Sequence, residues 1–282
     1  MSVFEAIFLG IIQGLSEFLP ISSTGHVTVA GKLLNLISSE HPERWTGFLG
    51  IVQLGTLASI FIYFARDIVH IVSNFFRENL IHPKKISKQS QDSRLGWLII
   101  IGTIPVVIIG LAFEDFIEGA YTKNLYVIAG GLIGLAILLA VAEKAAKFKK
   151  DINEITLKDS VIIGIAQVLA LIPGSSRSGT TITAGLFVGL KRDVAARFSF
   201  LLSIPAVFGS GIFQLFDSIE YLNSAMVFNL IVATLFSAIS GYLAIDFLLK
   251  FLKKHSTYLF VYYRIAIGLF ILILLFTNSI KP

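Results

Sequence analysis

The sequence predicts an all-α integral membrane protein, with six full spans plus two re-entrant helix hairpins in an inverted-topology repeat. Three observations carry that fold class. The 282 residues are 55% hydrophobic and only 15% charged, with a mean hydropathy of +0.81, whereas soluble domains carry about 25% charged residues. Six segments are long and apolar enough to cross a bilayer. Two further apolar stretches are each interrupted by a cluster rich in Pro, Gly and Ser, and the two interruptions resemble one another.

Composition also removes several function classes. Cysteine is absent, which excludes disulfides, thiolate metal sites and a cysteine nucleophile. A net charge of +5 would suggest a nucleic-acid partner for a soluble chain. In a membrane chain it reads as the Lys and Arg excess kept on the cytoplasmic side, and no nucleic acid is expected. The opening "MSVFEAIFLGII" has neither a basic n-region nor a small-residue cleavage site, so no removed signal peptide is expected.

In chain order, the first stretch, 1–37, is two short apolar pieces broken at Pro20-Ile21-Ser22-Ser23. A spanning helix needs about 20 mostly apolar residues, and 45–65, 95–116 and 123–147 each supply them. The second broken stretch, 160–190, is interrupted at Pro173-Gly174-Ser175-Ser176 and is followed by spans at 195–216, 225–249 and 258–277. Irregular backbone at membrane depth is tolerated only where it is buried in protein or lines a wet cavity, so both stretches are read as re-entrant hairpins. "GIIQGLSEFLPISSTG" (10–25) lies over "GIAQVLALIPGSSRSG" (164–179), with Gly10 on Gly164, Gln13 on Gln167, and Pro20 meeting Pro173 after a one-residue gap. Three spans separate the copies, so they enter the membrane from opposite sides. The single polytopic domain, 1–282, then divides into repeats of about 1–147 and 155–279, and the site of such a repeat is expected where the copies meet, near the midplane.

Loop charges orient the map. Arg66, Arg77, Lys84, Lys85, Lys88 and Arg94 in 66–94, Lys144, Lys147, Lys149 and Lys150 in 144–150, and Lys250, Lys253 and Lys254 in 250–254 all fall on one face, which the positive-inside rule makes cytoplasmic. Loops 38–44, 117–122 and 217–224 and both termini then lie outside.

Ionisable groups inside a membrane are costly and mark functional sites by default. Gln13 and Glu17 share one helical face at i and i+4. They offer two oxygen donors to a hard cation such as Mg²⁺, which completes its shell with water and substrate phosphate; a helix–helix hydrogen bond alone would account for Gln13. His26 follows Ser22, Ser23 and Thr24 across Gly25. A hydroxyl nucleophile needs a neighbouring base, and a histidine within reach is the commonest solution. Glu17 could instead orient the imidazole, and spacing does not separate those roles. In the second break Arg177 carries a permanent charge on a planar fork suited to phosphate. Ser175, Ser176, Ser178 and Thr180 add donors, and the start of a half-helix adds backbone N–H groups. Snorkelling to the surface is natural for Lys191 or Arg192 but poor for Arg177, which lies between the two halves. The combination is a buried phosphate site with a metal position and a nucleophile, and apolar walls that suit a lipid phosphate or diphosphate better than a soluble ester.

These residues resemble a known family. "QGLSEFLPISSTGH" (13–26) and "PGSSRSG" (173–179) are similar to the two signature motifs of the undecaprenyl-diphosphate phosphatase (BacA/UppP) family, and "IVQLGTLASIFIYF" (51–64) and "FSFLLSIPA" (198–206) also look like it. The resemblance runs over nearly the whole chain. It implies hydrolysis of undecaprenyl diphosphate to undecaprenyl phosphate and inorganic phosphate, for recycling of the cell-wall lipid carrier. It also implies a divalent cation (Mg²⁺, with Ca²⁺ as the other candidate), a multi-pass place in the bacterial cytoplasmic (inner) membrane with the site open to the outer, periplasmic face, and the interlocked inverted-repeat fold. By motif, Gln13 and Glu17 occupy the family's metal-linked (Glu/Gln)-x-x-x-Glu element. Ser22, Ser23, Thr24 and His26 occupy its Ser-Ser-Thr-Gly-His element, and Ser176 and Arg177 its Pro-Gly-x-Ser-Arg-Ser-Gly element. "PISSTGH" also resembles the Pro-Ser-Gly-His element of lipid phosphatases related to type 2 phosphatidic acid phosphatase. That class needs a further His and Asp after its Ser-Arg, and "SGTTITAGLFVGL" offers neither.

The expected chemistry has Mg²⁺ near Glu17, together with Arg177, neutralising the diphosphate, since positioning and electrostatics dominate phosphoryl transfer. Ser23 attacks the terminal phosphorus with His26 as base; His26 as the nucleophile, or direct attack by water, are the open variants. The rival class is a prenyl-phosphate flippase or anion transporter on the same fold, since inverted repeats with broken helices are transporter architecture. A homodimer is compatible with the sequence.

Overall fold

Among the described residues six helices have the length and apolarity to cross a membrane, and four shorter ones meet in pairs at two breaks in the helical chain. The computed structural model describes residues 1–38, 40, 41, 43–219, 222 and 224–281. Positions 39, 42, 220, 221 and 223, in the 38–44 and 217–224 connections, lie outside the described residues. The chain runs α1 (Val3–Phe18), α2 (Ser23–Leu33), α3 (Glu43–Tyr63), α4 (Ala65–Phe76), α5 (Gln91–Ala112), α6 (Glu114–Glu118) and α7 (Leu125–Ala145). It continues through α8 (Leu157–Val168), α9 (Arg177–Phe187), α10 (Arg192–Ser218), α11 (Ser224–Leu252) and α12 (Tyr258–Phe276), with no strand among the described residues.

The six candidate spans are α3, α5, α7, α10, α11 and α12, the α11 span counted from Met226. Their outward faces are apolar: Ile100, Ile104, Val107, Ile108 and Leu111 of α5 are all exposed, as lipid contact requires. The halves of the broken stretches are shorter. At a rise of about 1.5 Å per residue, α2 and α9 each cover roughly half of an about 30 Å hydrocarbon core.

The two breaks are built alike. Ser22 (φ 76°) and Ser176 (φ 70°) both adopt the left-handed region that costs a non-glycine residue about 1–3 kcal/mol and clusters at functional sites. Each then caps the half-helix it precedes, Ser22 Oγ accepting from Gly25 N at 3.2 Å and Ser176 Oγ from Gly179 N at 3.1 Å. The pairing of 10–25 with 164–179 puts these serines at the same position.

Packing exchanges partners between the halves of the chain. α1 lies against α11, and α8 against α5. Glycines permit this approach: a Cβ on Gly10 would lie 2.3 Å from the Ala233 carbonyl oxygen, and one on Gly164 2.3 Å from that of Gly102. α7 and α12 pack together and close the bundle. The core runs between them, with Phe18 edge-on to Phe200 at 5.1 Å between ring centres. Gly14 is equally tight, since its Cβ would meet Ser240 Oγ at 2.0 Å and the Ser237 carbonyl at 2.4 Å. Gly14→Val is therefore expected to destabilise the fold by about 3 kcal/mol, read as a lower midpoint of thermal unfolding in detergent.

Part of the 66–94 loop is helical. α4 and a π-helical turn at Arg77–Ile81 turn Phe75 onto Gly96 and Trp97 of α5, while Val69, Val72 and Phe76 stay exposed. The amphipathic spacing of these apolar residues explains the helix; the density of charge hid it. The basic 144–150 run is likewise tied down. Lys150 bonds Asp159 at 2.8 Å, and buried Glu143 accepts from Arg192 Nε at 2.7 Å and from the Thr257 hydroxyl at 2.9 Å, joining α7, α10 and the start of α12.

Candidate active site

The last two turns of α1 carry Gln13 and Glu17 on one buried face, and both breaks converge on it. Glu17 is 5% exposed. Its Oε2 accepts from Gln13 Nε2 at 2.9 Å and from the Ser23 hydroxyl at 2.6 Å. Its Oε1 accepts from Arg177 Nη2 at 2.8 Å. One carboxylate thus binds its own helix, the first residue of α2 and the first residue of α9. Arg177 also donates through Nη1 to the Ser199 carbonyl at 3.3 Å, and its Nε is buried with no partner among the described residues. Ser178 Oγ donates to the Leu19 carbonyl at 3.0 Å, a second stitch between the breaks.

A cavity of about 260 Å³ opens over this cluster, bordered by Glu17, Ser22, Ser23, Thr24, Ser176 and Arg177. First-turn N–H groups have no intrahelical acceptor. Those of Ser23, Thr24, Arg177 and Ser178 have no protein acceptor among the described residues. Two helix starts, a guanidinium and several hydroxyls therefore face one small volume, an arrangement that attracts anions.

Five of the anticipated residues sit elsewhere. Ser23 is paired with Glu17, not with His26: His26 Nδ1 lies 2.7 Å from the Ser22 carbonyl, and its Nε2 is 2.8 Å from the Tyr263 hydroxyl, against whose ring it stacks. The Ser22 carbonyl, at the cap of α2, accepts from His26 N at 3.2 Å and also holds the imidazole, which takes that acceptor instead of the Ser23 hydroxyl. Gln13 stands behind Glu17, off the cavity, with its amide nitrogen toward the carboxylate. Ser175 is fully buried with its hydroxyl unpartnered, and Ser178 is spent on the Leu19 carbonyl; neither borders the cavity. Thr180 bonds back to the Arg177 carbonyl at 2.9 Å.

These residues do not form a cage for a resident divalent cation. Among the described residues Glu17 is the one carboxylate on the cavity, both its oxygens are engaged, and a guanidinium lies beside it. Among the described residues no three His, Asp or Glu side chains gather into one group.

Two cations escaped the sequence reading. Lys123, at the start of the 123–147 span in the sequence, borders the cavity, its Nζ 2.6 Å from Thr46 Oγ1. Arg264 of α12 is completely buried and touches both breaks. The rule that singled out Arg177, a charge inside an apolar segment, applies equally to "VYYRIAIG" (261–268).

Comparison with known proteins matches the sequence of this chain to a family. A family profile described as "Bacitracin resistance protein BacA" matches residues 6–270. A protein of Syntrophobacter fumaroxidans named "Undecaprenyl-diphosphatase" is 51% identical over 280 residues, covering 99% of this chain and all of the relative. Proteins of the same name from Chlorobium phaeovibrioides and Myxococcus xanthus are 47% and 45% identical over the full chain, covering 100% and 92% of those relatives. Full-length matches at this identity, with both broken-helix motifs inside the matched region, place the chain in the bacitracin resistance protein BacA family.

Proposed function

We propose that the chain is an undecaprenyl-diphosphatase, releasing undecaprenyl phosphate and inorganic phosphate from undecaprenyl diphosphate at the cavity between the two breaks. The observation that carries the reading is the Ser23–Glu17–Arg177 contact, which joins a hydroxyl, a proton acceptor and a phosphate-binding fork on one cavity wall. The terminal phosphate lies against Arg177 and the helix starts of α2 and α9. Ser23 Oγ attacks its phosphorus as the hydroxyl proton passes to Glu17, and the bond to the bridging oxygen breaks, so prenyl phosphate leaves with its tail in lipid. Water then attacks the phosphoserine and frees inorganic phosphate. Glu17 replaces His26 as the base, and His26 braces the Ser22 carbonyl. A divalent cation, Mg²⁺ or Ca²⁺, enters this proposal as a companion of the substrate's own diphosphate oxygens.

The proposal extends to the membrane. The two broken stretches are re-entrant hairpins of an inverted repeat (1–147 and 155–279). Supporting this are half-helices too short to span, paired serine caps with positive φ, and the reciprocal packing of α1 on α11 and α8 on α5. The Lys- and Arg-rich connections face the cytoplasm of a bacterial inner membrane, and the cavity opens to the outer face.

The test is hydrolysis in ¹⁸O-labelled water by purified protein in detergent, with and without Mg²⁺ and Ca²⁺. Phosphate released from a long-chain prenyl diphosphate carries the label, and prenyl phosphate does not. Label in prenyl phosphate would place attack on the wrong phosphorus. Absence of release from folded protein, with lipid translocation in vesicles, would favour the flippase reading.

A further inference from the structure

Arg264 is a charge that the reaction scheme above does not use. It is 0% exposed, the largest fully buried side chain among the described residues, and an arginine keeps its proton. A buried charge without a counter-ion is expensive, so its surroundings have to explain it. Among the described residues no carboxylate bonds it. Instead its guanidinium donates to five carbonyl oxygens: Nε to Leu132 at 3.0 Å, Nη1 to Pro20 at 3.1 Å, and Nη2 to Gly131, Gly174 and Ser175 at 3.1, 3.0 and 3.0 Å. Pro20 belongs to the first break, Gly174 and Ser175 to the second, and Gly131 and Leu132 to α7.

Two consequences follow from that geometry. A break in a helix frees carbonyls as well as N–H groups, and carbonyls turned to the cavity would repel an anion. Here three carbonyls of the breaks, those of Pro20, Gly174 and Ser175, point back to Arg264, while the N–H groups of Ser23, Thr24, Arg177 and Ser178 carry no protein acceptor among the described residues. The second consequence is charge. Where the breaks meet, Glu17 is matched by Arg177, and Arg264 is a further positive charge whose protein partners are all neutral. We infer that Arg264 is a positioning residue that holds the two helix breaks in register from behind and leaves the cavity with a net positive charge for its anionic ligand to neutralise. This rests on the phosphatase reading for its assay but not for its geometry.

The test separates position from charge. Arg264→Lys keeps the charge but offers three donors where five carbonyls wait; Arg264→Gln removes the charge. A third variant, Gly179→Ala, leaves Arg264 in place but puts a Cβ 2.7 Å from its Nη1, pushing the guanidinium off its carbonyls. All are measured for thermal midpoint, kcat and KM on a long-chain prenyl diphosphate, and inhibition by inorganic phosphate. Arg264→Lys and Gly179→Ala are expected to lose about 10- to 100-fold in kcat, the scale of a misplacement of about 1 Å, with phosphate inhibition within a few-fold of the parent. Arg264→Gln is expected to lose kcat and to weaken phosphate inhibition about tenfold as well. A merely structural role moves only the midpoint, so unchanged kcat and inhibition per folded molecule in the Lys and Ala variants would overturn the inference. If Arg264→Gln does not fold, those two variants still decide it. Failure of the parent protein to release phosphate would count against the phosphatase reading instead; phosphate binding, followed as a shift in thermal midpoint, would then carry the Arg264 comparison.

Discussion

Glu17→Gln is expected to lower phosphate release from a long-chain prenyl diphosphate by about three orders of magnitude, within the range for loss of a general base. The amide is nearly isosteric, so the effect is chemical. Three donors converge on the two carboxylate oxygens: Gln13 Nε2, the Ser23 hydroxyl and Arg177 Nη2. A glutamine has one oxygen to answer them and turns an NH₂ group toward the rest. Ser23 then has no acceptor for its proton, and Arg177 loses its counter-charge inside the protein, which costs about 3–5 kcal/mol when one partner of a buried pair is removed. The same substitution should therefore lower the thermal midpoint. Ser23→Ala separates the two effects, because it removes the nucleophile without unbalancing charge: turnover falls at least as far while the midpoint stays near the parent's. Adding Arg177→Met to Glu17→Gln should recover stability without recovering turnover. Glu17→Gln at near-parental turnover would remove the carboxylate from the reaction.

How much of this was legible in the sequence depended on the kind of signal. The spans were readable because length and apolarity are local properties; 95–116 and 258–277 differ from Gln91–Ala112 and Tyr258–Phe276 by a few residues at most. The breaks were readable because proline, glycine and serine interrupt an apolar run, and the Gln13–Glu17 face because i,i+4 spacing on a helix fixes direction. His26 shows where local spacing stops. Three residues after Ser23, it lies within reach of that hydroxyl, yet its partners are the Ser22 carbonyl at the helix cap and Tyr263 from a helix more than 200 residues away. Arg264 shows the other limit. Its anomaly was visible in the sequence, but its five carbonyl partners come from three separate segments, and no pattern within α12 names them. The amphipathic α4 was obscured because cations dominate the composition of 66–94.

Arg177→Lys should be nearly as damaging as Glu17→Gln, although it preserves charge. A lysine is a single point of charge on a flexible stem, whereas the guanidinium is a planar fork. In the structure that fork is already divided: Nη2 on Glu17, Nη1 on the Ser199 carbonyl, and Nε buried without a protein partner. The first two contacts hold the group in place while the cavity stands over it. A lysine ammonium drawn to Glu17 would spend its charge there and withdraw from the phosphate. The expected loss is about 10²- to 10³-fold in kcat, the scale of removing one fixed donor from a developing oxyanion, with a smaller rise in KM, because the helix starts of α2 and α9 still attract the diphosphate. The steady-state split between kcat and KM is the measurement. A loss confined to KM would mean that Arg177 serves ground-state binding alone, and would leave the charge that develops on the transferring phosphoryl group to the helix starts. A loss carried by kcat instead ties the contact made across the two breaks to the chemical step, and gives a reason for the arginine and its carboxylate partner to sit in different halves of the chain.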